Sequence, residues 1–229
     1  MIQYAVPIEG VVSAVEQAGG SFILTVRSEK PLYCLSTGLW QGGFGMRRLL
    51  FNRQVHHQYM SDDPERETQA FLERCGYPEL EAAGMLTAAQ VADAGYTSME
   101  LDGIRVCCWV TAGFGNAARA GSGVPAGRLF PGTINTMLLI EGTMSDEAMA
   151  GALITATEAK AAALQQLGVM TGDGETATGT TTDAVIVATT GTGLVPFRYA
   201  GTATVVGHLI GRAVYEAFML SGQAYLRRR

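Results

Sequence analysis

The densest group of side chains that could do chemistry is the polar stretch that ends at Asp183. Three successive threonines, Thr180, Thr181 and Thr182, precede this carboxylate, and an apolar run follows it at once. A carboxylate at the start of an apolar strand is costly unless it has partners or a task. Asp183 could act as a general base on water or orient a threonine hydroxyl. It could also cap its own loop by accepting from backbone N–H groups, and the residues alone leave these interpretations open.

A second candidate is the glycine-rich loop from Thr111 to Gly121. Asn116 and the N–H groups beside Gly113 and Gly115 could stabilise a developing oxyanion in amide hydrolysis. The two glycines, with Ala118 in third place, also partly match a dinucleotide-binding loop, but no acidic residue follows at a second strand end, about twenty residues on. A tight turn without a ligand is the third interpretation.

A third candidate is Glu158, which shares an alanine-rich run with Lys160. Thr155 and Thr157 surround this carboxylate in an otherwise apolar segment. A solvated helix face is the ordinary explanation for such a residue. The threonines favour a task for Glu158, and both interpretations stay open.

Other familiar chemistries lack their motifs in this sequence. No HExxH, CxxC or GxSxG pattern occurs, and His56, His57 and His208 have no metal-ligand spacing. Cys107 and Cys108 are adjacent in a predicted strand, where neighbours point to opposite faces. We therefore expect buried thiols and no metal site.

These candidates must be positioned by strands and helices, which hydrophobic periodicity and turn residues predict. The predicted strands cover residues 22–26, 32–35, 104–110, 134–140 and 183–188. The predicted helices run from 63 to about 76, from 145 to about 167 and from about 202 to 220, with a further short helix starting at 87. Mixed strands and helices predict one layered α/β domain over 1–229, with a central mixed sheet flanked by helices.

Composition narrows the class of protein. The net charge is −5 over 229 residues, which argues against nucleic acid as a partner. No signal peptide and no run of about 18 apolar residues is present, so we expect a cytoplasmic protein without a membrane span. Hydrophobic residues make up 48% of the chain and charged residues 16%, which is compatible with a homo-oligomer.

The same polar clusters resemble those of the adenosylcobinamide amidohydrolases of the CbiZ type. Five blocks occur in the same order, at 111–117, 132–136, 152–160, 177–184 and 199–204. Weaker echoes include Gly42-Gly43, Asn52, Asp63-Pro64 and the segment 84–89. The likeness covers nearly the whole chain and is strongest from residue 104 onward.

The resemblance implies a salvage enzyme for cobalamin synthesis. Such enzymes hydrolyse the amide between the aminopropanol arm and the corrin ring of adenosylcobinamide, which gives adenosylcobyric acid and 1-amino-2-propanol. The corrinoid is then the substrate, and no separate cofactor is implied.

Residue roles follow from our own hypothesis about this reaction. Asp183 or Glu158 activates water, while Asn116, Asn135 and loop N–H groups hold the carbonyl and its oxyanion. Loops that carry Asn116, Asn135, Glu158 and Asp183 converge on one pocket in this hypothesis. The substrate is bound there by Gly113, Gly115, Asn135 and the threonines from Thr180 to Thr182. One of those threonines could instead be a nucleophile.

Two other classes of function remain as alternatives. A corrinoid-binding protein without catalysis would bind adenosylcobinamide and release no aminopropanol. A nucleotide-binding module would use the glycines between 113 and 121.

Overall fold

The computed structural model describes residues 1–77, 79–123, 133–193 and 196–228. Its strands are β1 (Ile2–Tyr4), β2 (Val11–Ala18), β3 (Ser21–Ser36), β4 (Gly43–Gln54), β5 (Ala82–Thr87), β6 (Gly95–Leu101), β7 (Ile104–Ala112), β8 (Ala117–Ala118), β9 (Ile134–Ile140), β10 (Gly179–Thr180) and β11 (Ala184–Thr189). The helices are α1 (Pro64–Cys75), α2 (Asp146–Gln166) and α3 (Val205–Arg227), with single 3-10 turns at Glu79–Glu81 and Val91–Asp93. The predicted α/β fold is confirmed.

The long strand β3 joins the two halves of the main sheet. One of its edges pairs with β4, while the other pairs first with β2 and then with β11. The register with β4 shifts between Arg27 and Leu32. Pro31 falls in this interval, where a residue without an N–H donor breaks no ladder bond. The two runs predicted at 22–26 and 32–35 are therefore parts of one irregular strand.

The sheet is mixed, as the sequence predicted. Its order is β1-β2-β3-β11-β9-β7-β6, with β4 beside β3 and β5 beside β4. The β9–β11 and β4–β5 pairs are parallel, and the other pairs are antiparallel. Parallel pairing brings the amino ends of β9 and β11 together, so Asn135 lies beside Ala184.

Three buried clusters show how the layers pack. An interior cluster joins Leu24 of β3, Met85 of β5 and Trp109 of β7, so the two halves of the sheet face each other across it. A second cluster lies between the outer face of β7, β9 and β11 and the helices α2 and α3. In the third, Phe71 and Leu72 of α1 cover the outer face of β4.

The predicted helix ends are confirmed in two cases. The Asp63 carboxylate accepts from the N–H of Arg66 at 3.0 Å at the start of α1, and Gly76 ends that helix at φ 69°. Ser145 caps α2, and Gly168, at φ 64°, follows its end. In α3, the six apolar residues that recur at helical spacing in the sequence are all buried, namely Val206, Leu209, Ile210, Ala213, Ala217 and Phe218.

Other predictions need correction. The helix predicted from Thr87 is wrong, because Thr87 ends β5 and its hydroxyl accepts from the N–H of Ala89 at 3.0 Å. Only the turn at Val91–Asp93 follows. The predicted strands did not include β1, β2, β4, β5, β6, β8 or β10. Pro131 and Gly132, a turn signal before β9 in the sequence, lie outside the described residues.

The thiols of β7 are buried, as predicted. Cys107 and Cys108 are free cysteines with no exposed surface. Burial raises the pKa of both thiols above the ordinary value. Neither is a thiolate near neutral pH, which makes both poor nucleophiles.

Candidate active site

A cavity of about 560 Å³ opens where four strands end at the same side of the molecule. The carboxyl ends of β4 and β5 form one wall, and the amino ends of β9 and β11 form the other. Its lining residues are Thr37, Leu39, Val55, Tyr59, Met60, Ser61, Pro64, Met85, Leu86, Thr87, Ala88, Thr133, Asn135, Thr182, Asp183 and Ala184. Among them, Asp183 is the one carboxylate.

Four donors surround the Asp183 carboxylate. Its Oδ1 accepts from the N–H of Ile134 at 3.1 Å and from the Thr180 hydroxyl. Its Oδ2 accepts from the N–H of Thr180 at 3.0 Å and from Lys160 Nζ at 2.5 Å. Asp183 therefore does cap its own loop, and it also ties that loop to β9 and to α2.

The partner charge comes from the middle of α2. Lys160 and Asp183 form an ion pair in which the side chains are 10% and 14% exposed. A Cβ at Gly179 would lie 2.4 Å from Asp183 Oδ2 and 2.9 Å from Lys160 Nζ. Glycine at this position makes room for the ion pair.

A network of buried amides lies under the cavity. Asn135 Nδ2 donates to Leu86 O at 2.8 Å and to Asn52 Oδ1 at 2.9 Å. Asn52 Nδ2 in turn donates to Thr111 Oγ1 at 2.8 Å. A carbonyl can only accept, so Leu86 O fixes which atom of Asn135 is the nitrogen, and the rest of the network follows. Both amide hydrogens of Asn135 are therefore engaged within the protein.

The oxygen of the same amide has a weaker partner. Thr133 Oγ1 lies 3.3 Å from Asn135 Oδ1 but 2.5 Å from the carbonyl of Thr182. A hydroxyl has one hydrogen, and the shorter contact to a carbonyl fixes its direction. The atom of this side chain with the weakest internal contact is therefore its acceptor oxygen, whereas we expected Asn135 to offer a donor.

The segment between β4 and α1 also lines the cavity. Tyr59 donates to Glu67 Oε2 at 3.1 Å, and Glu67 pairs with Arg53 at 2.8 Å. Burial raises the pKa of Tyr59, and the adjacent Glu67 carboxylate adds to the effect, so this hydroxyl stays protonated near neutral pH. Val55 and Met60 of this segment add apolar surface to the cavity, and Ser61 adds a hydroxyl.

The structure brings only part of the expected constellation to the cavity. Asn135, Thr182 and Asp183 line it together. Asn116 stands beside this group, because its Nδ2 donates to Thr181 Oγ1 at 2.6 Å. Glu158 does not join them, since it is exposed on α2 and is not a lining residue.

The glycine-rich loop from Thr111 to Gly121 makes backbone hydrogen bonds and does not line the cavity. The N–H of Gly113 donates to Thr133 O at 3.1 Å, and Gly115 is exposed. The segment then forms β8, which pairs with β10. A dinucleotide loop opens a helix instead, so the nucleotide-binding interpretation of this loop loses its basis.

Sequence reasoning missed three residues that build the site. Asn52 and Thr133 complete the polar floor, and Lys160 supplies the charge beside Asp183. In the sequence, Asn52 was only one of the weaker similarities to the family, and Thr133 lies inside the similar block at 132–136. The pairing of Lys160 with Asp183 joins residues from two separate blocks, which spacing cannot reveal.

The described residues were also compared with the requirements of a metal site and of a membrane-spanning helix. Within the described ranges, no group of three or more His, Cys, Asp or Glu side chains could hold a metal ion. None of the described helices is both long and apolar enough to cross a membrane.

The family model described as adenosylcobinamide amidohydrolase, CbiZ, matches residues 10–229. An adenosylcobinamide amidohydrolase of Methanosarcina mazei is 34% identical over 154 residues, which are 67% of this chain and 68% of that protein.

Two more distant likenesses were found. An uncharacterised protein of Methanocaldococcus jannaschii is 31% identical over 164 residues, and the match spans 62% of this chain and 63% of that protein, less than two thirds of its length. A Pyrococcus horikoshii protein of known crystal structure aligns with 93% of this chain and 82% of its own, at a TM-score of 0.45 and 13% identity.

Proposed function

This chain belongs to the adenosylcobinamide amidohydrolase family and is a hydrolase, and from that premise we propose that it cleaves the aminopropanol arm of adenosylcobinamide. The products are adenosylcobyric acid and 1-amino-2-propanol, and the reaction serves corrinoid salvage. The observation that carries the proposal is the placement of Asp183 and Asn135 in one cavity. In such a cavity the carboxylate can act on the water that attacks a bound carboxamide, while the amide oxygen accepts from the N–H of that carboxamide.

Asp183 is the group to which we assign the transfer of the proton. Water attacks the amide carbon while Asp183 Oδ1 takes one of its protons, at the position that the Thr180 hydroxyl vacates by turning, and a tetrahedral oxyanion forms. The C–N bond then breaks, and the amine leaves with the proton that Asp183 returns. Glu158, the other base considered from the sequence, has no support from its exposed position.

Asn135 orients the scissile group in this proposal. Its Oδ1 is the atom of the amide without a strong internal donor, so it accepts the N–H of the carboxamide. Thr182, which lines the cavity and is exposed, is the threonine that we assign to contact with the substrate. Asn116 and Thr181 hold the loop of Asp183 from behind.

The size of the cavity sets which part of the substrate can enter. About 560 Å³ is typical of sites for drug-sized ligands, and an adenosylated corrinoid is larger than such a ligand. We therefore place the amide arm in the cavity and the macrocycle outside, against the apolar side chains of Leu39, Val55 and Met60.

A matched pair of variants tests the assignment. Asp183→Asn keeps the shape of the side chain and removes the base, so we expect kcat to fall by about 10²–10⁴. Glu158→Gln makes the same chemical change on the exposed face of α2 and should leave turnover near the wild-type value. Release of 1-amino-2-propanol from adenosylcobinamide, followed by mass spectrometry, measures both. Near-normal turnover of Asp183→Asn would remove Asp183 from the mechanism.

The same assay separates the other hypotheses. Tight binding of adenosylcobinamide without release of the amine would identify a corrinoid-binding protein instead of an enzyme. A covalent corrinoid adduct on the wild-type protein would show a threonine nucleophile among Thr180, Thr181 and Thr182, and would end the direct attack by water.

The partner in this proposal is a small corrinoid, without nucleic acid. Free cysteines and a net charge of −5 fit a cytoplasmic enzyme of this kind.

A further inference from the structure

We propose that Lys160 is a positioning residue of this site, which supplies the counter-charge of Asp183 and holds its carboxylate at the cavity without touching the substrate. The inference rests on the proposed function, because it concerns the same carboxylate. Lys160 is not a lining residue of the cavity, whereas Asp183 is. The lysine therefore acts on chemistry only through its partner.

The contacts around Asp183 divide into two kinds. The N–H groups of Ile134 and Thr180 and the Thr180 hydroxyl fix the direction of the carboxylate from β9 and β10. Lys160, from α2, forms the ion pair with it in the described part of the chain. Neutral donors supply geometry, and the ammonium supplies the opposite charge.

Burial makes the charge of Lys160 important for Asp183. The Lys160 residue is 8% exposed, and a lysine is almost never so buried unless it is paired. An ammonium and a carboxylate taken out of water lose their hydration, so each depends on the other to stay charged. Without Lys160, the Asp183 carboxylate would be a largely buried charge without an opposite charge beside it.

The local backbone is shaped to admit the pair. Gly179 has no side chain at the point where a Cβ would lie within 3 Å of both charged groups. Lys160 belongs to the block at 152–160 and Asp183 to the block at 177–184, so the contact joins two stretches that resemble the family separately.

The test compares variants that differ in charge at Lys160. Lys160→Met keeps an unbranched side chain, one atom shorter, and removes its charge, so we expect kcat to fall by up to about 100-fold while KM changes little. The acid limb of the pH profile should move to higher pH, because the ionised carboxylate has lost its counter-charge. Lys160→Arg keeps the charge and should restore the position of that limb. A loss of kcat with an unmoved limb would overturn the proposal and leave a structural role.

A second pair of variants keeps the test decisive if Lys160→Met does not fold. Gly179→Ala retains both charges but places a methyl group between them, and we expect the same loss of kcat at unchanged KM. Gly172→Ala is the control, since nothing lies within 4 Å of its Cβ position. Equal activity of the two alanine variants would contradict the inference.

A readout without substrate separates this inference from the proposed function. The ¹³C NMR signal of the Asp183 carboxyl can be followed through a pH titration of the wild type and of Lys160→Met. A titration midpoint that moves to higher pH in the variant supports the coupling even if adenosylcobinamide is not hydrolysed. An unmoved midpoint overturns it even if the enzyme is active.

Discussion

Asp183 and Asn135 show how single residues acquire their roles from the atoms around them. Donors from β9, β10 and α2 surround the Asp183 carboxylate. The Asn135 amide donates both of its hydrogens within the protein, to Leu86 O and Asn52 Oδ1. The first is therefore a fixed anion at the cavity, and the second is an acceptor.

Asn135→Asp is predicted to destabilise the protein at neutral pH. The new carboxylate oxygen would face Leu86 O and Asn52 Oδ1, two acceptors, in a site that is 1% exposed. An uncompensated buried charge costs about 3–5 kcal/mol of the free energy of unfolding. The loss should shrink as the pH falls, because the protonated acid can donate to Leu86 O and the folded state then binds the proton more tightly than the unfolded chain.

Urea denaturation at several pH values measures this effect. Asn116→Asp is the control, since its partner Thr181 has a hydroxyl that can turn and donate to a carboxylate. We expect a smaller loss there. An Asn135→Asp protein as stable as the wild type at pH 7 would show that the amide network is assigned wrongly.

At the scale of elements, α2 and α3 hold the site from behind the sheet. They pack on each other and cover the outer face of β7 and β9, and α2 carries Lys160 to the loop of Asp183. The start of α3 sits against the chain at Gly201, where a Cβ on Gly207 would lie 2.0 Å from a carbonyl oxygen. That approach is possible only for glycine.

Two glycines of α3 are predicted to respond oppositely to alanine. Gly207→Ala must push the helix from Gly201, and we expect a loss of about 1–3 kcal/mol. Gly211→Ala meets only Thr155 Cγ2 at 3.7 Å, an ordinary contact, and should gain about 0.5–1 kcal/mol from helix propensity. Thermal and urea denaturation of the two variants checks this. A Gly207→Ala protein as stable as Gly211→Ala would contradict the close packing.

At the scale of the whole molecule, β3 binds the layers into one unit. It contributes Leu24 and Leu32 to the interior cluster and Ile23 to the cluster under α1, while Leu35 packs against the cluster under α2 and α3. Each of the three clusters formed by the described residues therefore contacts this strand. The two faces of the cavity therefore depend on the same element for their relative position.

We predict that the protein unfolds in one cooperative transition. Trp109 is 1% exposed in the interior cluster, so its fluorescence in a Trp40→Phe background reports on that cluster alone. Far-UV circular dichroism reports on the helices and the sheet together. Coincident urea transitions by the two probes are expected because the clusters share β3. Separate midpoints would show that the layers unfold independently.

Local features of the sequence determined the elements whose signals are local. Asp63 and Ser145 marked helix starts, Gly76 and Gly168 marked ends, and the apolar stripe of α3 marked its buried face. These follow from backbone hydrogen bonding and periodicity within a few residues. The order of polar blocks likewise pointed to the family, which the comparisons confirmed.

Only the tertiary structure decided which polar groups meet. Pairing of β9 with β11 and of β4 with β5 put Asn135, Asp183 and Leu86 at one cavity, while the turn of α2 that exposes Glu158 buries Lys160. Hydrogen bonds and ion pairs act over a few ångströms in space between residues far apart in the chain. Spacing along the sequence does not carry that information, because it depends on how strands pair and on which face of a helix turns inward.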